Sequence, residues 1–165
     1  MKKILLAALS ALFFLGCSSN ATGENVKPAL VVNQTLETLE LKDQFEASHT
    51  PSADTQKIVF AFSKDVGHTC NEFFATKSET YLQDNKALFV ADVSSAPSLI
   101  RSMFILPGLK DFKHTVLVLE DKESAASYKS GMESEKIVVV YLQDKVITEI
   151  KTMTTTEELV AAIEK

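Results

Sequence analysis

The sequence predicts an α/β protein built as a three-layer sandwich around one mixed β-sheet. Apolar runs of strand length alternate with stretches that carry helix signals, and an apparent hairpin and a helix close the chain. Two strand–helix–strand connections imply parallel pairing in the centre of the sheet, and the hairpin adds antiparallel strands. The apolar runs that predict the three central strands are 57–63, 87–93 and 114–119.

The first two of these runs, KIVFAFS and ALFVADV, are continuously apolar. Such runs are typical of strands buried on both faces. Between them, Thr69 and Glu72 have the spacing of a capping box, which predicts a helix from Thr69 to about residue 84.

Pro97 is suited to the first turn of a second helix, which we expect to run through Met103 and to end at Pro107-Gly108. The apolar stretch inside and after this helix is interpreted as core. Its members are Met103, Phe104, Ile105 and Leu106.

The polar stretch 123–136 predicts a connection. Gln143-Asp144 joins two strand-like runs, 137–142 and 145–151, into a hairpin. Thr155 and Glu158 form a second capping-box pair that begins a final helix over 155–164.

At the other end of the folded part, 38–44 alternates apolar and polar residues and predicts a short edge strand. The stretch 47–56, which contains Pro51, is interpreted as a loop.

Length and charge restrict the possible functions. The 165 residues are 45% hydrophobic and 24% charged, enough for one domain with a substantial core. The formal net charge is −5, and removal of residues 1–16 with their two lysines makes it −7. This balance argues against a nucleic-acid binder and against electrostatic docking on anionic lipid.

The first 17 residues have the pattern of a secretory leader. Lys2 and Lys3 precede an apolar run over 4–15 that is too short to span a bilayer. The end of this run, Phe-Phe-Leu-Gly-Cys, resembles the lipobox of bacterial lipoproteins. The resemblance implies cleavage after Gly16 and acylation of Cys17 with diacylglycerol and an N-linked chain such as palmitate. An ordinary signal peptide with a chance cysteine is the alternative.

We therefore expect a signal peptide over 1–16, a lipidated Cys17 with a flexible tether over 17–37, and a folded domain over 38–165. Several acyl chains on one residue would anchor the protein stably. The predicted location is the cell envelope, facing the periplasm. Ser18 after the cysteine resembles lipoproteins that are sorted to an outer membrane.

The region 39–165 resembles the thioredoxin-like superfamily. The C-terminal part, from IVVVYL to the last helix, resembles the closing hairpin and helix of that fold. LKDQF followed by KIVFAFSKD resembles peroxiredoxins and related lipoprotein domains. LKDQF, ADVSSAPSLI and MFILPGLKDF together resemble a group of bacterial thioredoxin-like proteins without an assigned activity.

Cys70 is the cysteine that remains if Cys17 carries lipid. In thioredoxins a Cys-x-x-Cys motif follows the central strand and opens a helix. The stretch here is Cys-Asn-Glu-Phe, without the second cysteine, and no proline stands before the candidate strands at 114 or 137. The resemblance therefore implies a domain without dithiol chemistry.

Peroxiredoxins need one reactive cysteine in the pattern Pro-x-x-x-Thr-x-x-Cys. The stretch from Ser63 to Cys70 keeps the spacing but has Ser63 and Gly67 in place of the proline and threonine. Arg101, the single arginine, lies in surroundings unlike those of the family's peroxide-binding arginine.

The residues themselves leave Cys70 open as a nucleophile. A thiol in the first turn of a helix is shifted towards thiolate, and His68 could act as a base, whereas Glu72 would oppose the thiolate. A buried, inert cysteine and a cysteine that pairs with another molecule are the alternatives. A metal site built from His68, Cys70 and His114 would lack clear ligand spacing, so neither a metal nor a cofactor is predicted.

The sequence thus predicts a membrane-anchored, periplasmic thioredoxin-like lipoprotein that binds an envelope protein partner or serves an accessory role. The alternative is a single-cysteine peroxidase or oxidoreductase with Cys70 and His68 as catalytic residues.

Overall fold

The computed structural model describes residues 26–36 and 39–165. Within them, seven strands form one sheet in the order β2-β1-β5-β4-β3-β6-β7. The strands are β1 (Leu41–Asp43), β2 (Ser48–His49), β3 (Lys57–Ala61), β4 (Ala87–Asp92), β5 (Leu117–Leu119), β6 (Ile137–Gln143) and β7 (Val146–Met153).

The sheet is mixed, as the sequence predicts. Strands β3, β4 and β5 are parallel, while β6 and β7 extend the sheet antiparallel to β3, and β1 is antiparallel to both β5 and β2. The carboxyl ends of β3, β4 and β5 therefore lie at the same edge of the sheet, which we call the carboxyl edge. The turn between β6 and β7 lies at the opposite, amino edge.

Six helices and one π-helical turn complete the described fold. They are α1 (Lys64–Ala75), α2 (Tyr81–Asp84), α3 (Ser98–Ile100), the π-helical turn (Arg101–Ile105), α4 (Leu106–Leu109), α5 (Lys122–Lys129) and α6 (Thr156–Ile163). The three elements between 98 and 109 follow one another without a break, and we call them the 98–109 helix.

Two apolar cores, one on each face of the sheet, define the three layers. On one face, α1, α2, α4 and α6 pack against the sheet around Cys70, Phe74 and Phe89. On the other face, α5 packs with the N-terminal segment around Phe60, and Tyr128 stacks on the Phe60 ring at a centroid distance of 5.8 Å.

The last helix and the hairpin confirm the sequence prediction. Thr155 and Glu158 form a capping box at the start of α6. Asp144 and Lys145 occupy the hairpin turn with positive φ values of 50° and 66°, the backbone form that matches the twist of two-residue hairpins.

Other elements differ from prediction. The helix after β3 begins at Lys64 rather than Thr69, because the Ser63 hydroxyl accepts the cap hydrogen bond from the Val66 N–H. Residues 122–129 form α5, with Asp121 as its N-cap, where the stretch 123–136 was interpreted as a polar connection. The predicted loop over 47–56 contains the short strand β2.

The 98–109 helix was predicted to end at Pro107-Gly108, but it continues through both residues to Leu109. Proline lacks the N–H that the carbonyl four residues earlier would accept, so it interrupts an α-helical pattern. Here a π-helical turn precedes it, and the Leu106 N–H donates to the Arg101 carbonyl five residues back. This wider turn lets the helix continue through Leu109.

The described part of the N-terminal segment is packed on the domain, although the tether was expected to reach residue 37. Leu30 and Leu36 are buried. Residues 33–36 hydrogen-bond to the beginning of β7 and the turn before it, and Thr35 forms a bridge with Val146. The signal peptide, the lipidation site at Cys17 and the tether up to residue 25 lie outside the described residues.

Candidate functional site

The N-terminus of α1 is where the thioredoxin-like resemblance places redox chemistry. In this chain the helix opens with Ser63, Lys64, Asp65 and Val66. The Ser63 hydroxyl also donates to the Glu135 carboxylate over 3.3 Å, so the segment before β6 lies beside the helix start. This position therefore holds a capping hydroxyl and a carboxylate instead of a thiol.

Cys70 lies six residues into α1, about 9 Å along the helix axis from its first residue. Its side chain is fully buried, and burial raises the pKa of the thiol to about 12. Thr69 does not cap a helix here, since its hydroxyl donates to the Asp65 carbonyl one turn earlier. The favourable first-turn position expected for Cys70 is therefore wrong.

His68 lies on a different side of α1 from Cys70. Residues two apart on a helix do not share a face. The His68 side chain is 70% exposed, and its Nε2 lies 3.1 Å from Glu72 Oε1. The structure therefore does not bring the predicted base to the predicted nucleophile. A catalytic role for either residue stays a prediction.

The contacts of Arg101 lie at the start of its own helix and at the end of β5. Its guanidinium donates to the Ala96 carbonyl over 3.1 Å, and its Nε lies 3.3 Å from Glu120 Oε2. The arginine thus holds the start of the 98–109 helix against the end of β5.

His114, the third residue considered as a metal ligand, is buried in a polar cluster of its own. Its Nε2 lies 3.0 Å from Asn71 Oδ1, while its carbonyl accepts a hydrogen bond from Gln44. Gln44 also accepts from the Val116 N–H, so the cluster joins α1, β5 and the segment after β1. Burial lowers the pKa of the imidazole to about 4, which keeps it neutral at pH 7.

This cluster was not found from sequence. A single His, Asn and Gln separated by tens of residues carry no spacing signal, and only the sheet register brings them together. Across residues 26–36 and 39–165, no group of three or more His, Cys, Asp or Glu side chains is placed to hold a metal ion.

A second polar cluster lies at the carboxyl edge. The Asp92 carboxylate is 1% exposed, accepts the Ser94 N–H, and pairs with Lys129 Nζ over 2.8 Å. Lys129 ends α5, so this ion pair ties the helix on one face to the end of the central strand β4. Together with Arg101 and Glu120, it gives the carboxyl edge a charged and internally paired framework.

Beside this framework, the 98–109 helix exposes an apolar surface that we call the apolar face. Its members are Leu99 (64% exposed), Ile100 (43%), Met103 (58%) and Phe104 (64%). The prediction that Met103 and Phe104 belong to the core is therefore wrong. Ile105 and Leu106 do pack against the core, as predicted, although both remain partly exposed.

The physical reason is that this helix is apolar on more than one side. Leu106 and Leu109 already occupy the side that faces the sheet. A helix resting on one sheet face can bury only one stripe, so the remaining apolar residues stay outside. This excess of apolar residues over 99–109 was visible in the sequence.

The part of the chain that the structure describes contains no helix that is both long and apolar enough to cross a membrane.

Comparisons with known proteins identify the fold. No family model matches the sequence, and no curated protein matches it. A solved structure of a proposed protein disulfide isomerase from Bacteroides thetaiotaomicron aligns with a TM-score of 0.55 at 9% identity, covering 84% of this chain and 89% of that one.

Two further structures give a TM-score of 0.51. The thioredoxin domain of a thiol-disulfide oxidoreductase from Bacteroides vulgatus is 9% identical over 82% of this chain and 96% of its own. A SCO1/SenC family lipoprotein from Bacillus anthracis is 11% identical over 80% of this chain and 94% of its own. Together with the mixed sheet, hairpin and final helix, these alignments show that the chain has a thioredoxin-like fold.

Proposed function

We propose that this chain is a lipid-anchored thioredoxin-like protein of the cell envelope whose domain binds a partner and does not exchange disulfides. One observation carries the proposal: the N-terminus of α1 has no thiol, and Cys70 is buried two turns further along the same helix. Dithiol exchange needs an accessible thiolate, and a thiol with a pKa of about 12 is protonated at neutral pH.

The anchor rests on the leader and on Cys17. A cationic start, a short apolar run and a small residue before the cysteine support cleavage and acylation at that residue. The domain would then face the periplasm, and Ser18 supports placement at the outer membrane. The partner in this proposal is an envelope protein.

Thiol accessibility tests the redox part of the proposal. In the chain from Cys17 onwards, with Cys17→Ser, we expect Cys70 to react with a maleimide at least a hundredfold more slowly in the native protein than in urea. The chain should also leave the rate of dithiol oxidation or insulin reduction at the background level. Native alkylation at the rate of a free thiol, or turnover of a dithiol substrate, would overturn the proposal.

A matched control uses the same helix. In the Ser63→Cys/Cys70→Ala variant of the same Cys17→Ser chain, the single thiol lies at the partly exposed helix N-terminus, where the helix dipole favours thiolate. We expect this thiol to alkylate rapidly under the native conditions that protect Cys70. The contrast separates protection by position from a general failure of the reagent.

Peroxide consumption tests the alternative peroxidase function. If Cys70 were a peroxidatic cysteine assisted by His68, Cys70→Ser would abolish peroxide consumption and His68→Gln would slow it. We expect neither variant to differ from the parent chain. The anchor is tested separately, by mass spectrometry of the mature N-terminus in the natural chain and in Cys17→Ala.

A further inference from the structure

The apolar face is the least explained surface of the described residues. Leu99, Ile100, Met103 and Phe104 occupy neighbouring positions on one helix, and each is between 43% and 64% exposed. Contiguous exposed apolar residues on a folded domain mark a contact surface. We propose that this face inserts among the acyl chains at the surface of the bilayer that holds Cys17. This inference rests on the lipid anchor of the proposed function.

The path of the N-terminal segment supports a membrane as the occupant. Leu36 lies at the amino edge, since its N–H donates to the carbonyl of Lys145 in the hairpin turn. Further towards the N-terminus, the Lys27 carbonyl accepts a hydrogen bond from Ser127 on α5. Traced back from Leu36, the segment thus runs away from the amino edge.

Helix α5 belongs to the carboxyl-edge half of the molecule. Its N-cap directly follows Glu120, which pairs with Arg101 of the 98–109 helix. The helix ends at Lys129, which pairs with Asp92 at the end of β4. The chain therefore enters the domain from the half that carries the apolar face.

The distances are compatible with simultaneous contact. Eight residues lie between Cys17 and Val26, and an extended chain over these nine residue-to-residue steps reaches about 30 Å. Ser127 lies six residues beyond the α5 cap at Asp121, about 9 Å along the helix. The N-terminal segment and the 98–109 helix lie on opposite faces of the sheet, each at a layer spacing of about 10 Å. The reach of about 30 Å exceeds this separation, so an anchored Cys17 and the apolar face can meet one membrane surface at the carboxyl edge without unfolding the packed segment.

The chemistry of the face favours acyl chains over charged headgroups. Arg101, the cation within the helix, is 17% exposed and turned towards backbone carbonyls and Glu120. The chain without its leader carries a formal net charge of −7, which repels anionic lipid. Contact should therefore occur on zwitterionic lipid and depend little on salt, as expected for apolar side chains in the interface.

The sequence contains no tryptophan, so one introduced tryptophan reports its own surroundings. The chain from residue 17, carrying Cys17→Ser and an N-terminal hexahistidine tag, is bound to phosphatidylcholine vesicles that contain a nickel-chelating lipid. With Phe104→Trp, we expect a blue-shifted emission on the vesicles and at least twofold quenching by phosphatidylcholine brominated on its acyl chains.

Phe45→Trp is the matched control. Phe45 is 59% exposed, close to the value for Phe104, but it follows β1 at the amino edge. We expect its emission to stay unshifted and unquenched on the same vesicles. Equal behaviour of the two variants, or a Phe104→Trp emission that remains open to aqueous iodide on the vesicles, would overturn the proposal.

The apolar face could instead bind a second copy of the chain. In that case sedimentation would show a dimer that Phe104→Ser dissociates, and the Phe104→Trp emission would not change when vesicles are added. This result would also overturn the proposal. Leu99→Ser with Phe104→Ser should lower partitioning of the untagged, unlipidated chain onto phosphatidylcholine vesicles at least tenfold. Because the tag replaces the lipid, the vesicle result does not depend on whether Cys17 is acylated, so failure of the proposed anchor is seen separately by mass spectrometry.

Discussion

Helix α1 and the 98–109 helix follow neighbouring parallel strands and pack on the same face of the sheet, yet they treat their apolar side chains differently. In α1, Val66, Cys70 and Phe74 are buried, and polar residues cover the outer side. In the 98–109 helix, Leu99 and Phe104 are exposed at 64% each. The first helix is built for the stability of the domain, whereas the second retains apolar surface that the fold does not use.

The largest expected change in the free energy of unfolding comes from removing the buried phenylalanine of α1, and the exposed phenylalanine of the 98–109 helix is its comparison. Phe74 is 1% exposed and its ring contacts Phe89 and His114, so Phe74→Ala should lower the free energy of unfolding by about 3–5 kcal/mol. Phe104→Ala should change it by less than about 0.5 kcal/mol. Urea unfolding of both variants measures the difference, and similar losses would mean that the 98–109 helix belongs to the core after all.

The next effect concerns the buried side of α1, where Asn71 contacts His114. The folded pKa of His114 is about 4, below its ordinary value of 6.5, so the unfolded chain takes up a proton first as the pH falls. Stability should be fully present above about pH 6.5 and decrease towards pH 4, by up to about 3 kcal/mol.

Unfolding measured between pH 7 and 4.5 tests this pH dependence. His114→Gln should be less stable at pH 7 but should lose less stability than the parent over this range. Phe104→Ala, which alters an exposed side chain that carries no titratable group, should keep the parent slope. A parent slope in His114→Gln would assign the acid sensitivity to other groups.

A smaller effect on stability is expected from the ion pair between Asp92 and Lys129 at the carboxyl edge. Lys129→Met leaves the buried Asp92 carboxylate without its cation and should cost about 2 kcal/mol, since a buried charge without its partner is strongly unfavourable. Asp92→Asn in the same background should recover part of this loss. A double-mutant cycle that is additive would show that the pair contributes nothing to the carboxyl edge.

The smallest expected change in stability comes from the N-terminal cap of α1, and the start of the 98–109 helix is its comparison. Ser63 caps α1 with its side chain, so Ser63→Ala should lower stability by about 1 kcal/mol. The 98–109 helix has no side-chain cap at Pro97, and Ser98→Ala should be nearly neutral. Thermal unfolding separates the two, and equal shifts would contradict the assigned cap.

The comparison also shows what sequence reasoning can reach. Continuous apolar runs identify the central strands, alternation over 38–44 identifies β1, and the capping box at Thr155 identifies α6, because these signals are local. The start of α1 was misplaced because Thr69 and Glu72 have capping spacing, whereas Ser63, two residues after β3, accepts the cap hydrogen bond from the Val66 N–H. Its position decides whether Cys70 opens the helix or lies inside it.

The remaining differences are tertiary in origin. The contact between His114 and Asn71 depends on how β5 and α1 are placed around β4, which no local pattern encodes. The exposure of Met103 and Phe104 depends on how many sides of one helix the sheet can cover. Residue type alone predicted a buried position for Met103 and Phe104, which is wrong, and predicted no partner for His114.

The N-terminal segment has one more consequence. Thr35 and Leu36 bond to the start of β7, and the outermost strand on the other side, β2, is only two residues long. The beginning of one edge strand is thus covered and the other edge strand is short, and both features hinder strand pairing between molecules. With the proposed lipid anchor, copies on a membrane would be confined to two dimensions and collide often, and the same N-terminal residues would protect neighbouring domains against aggregation.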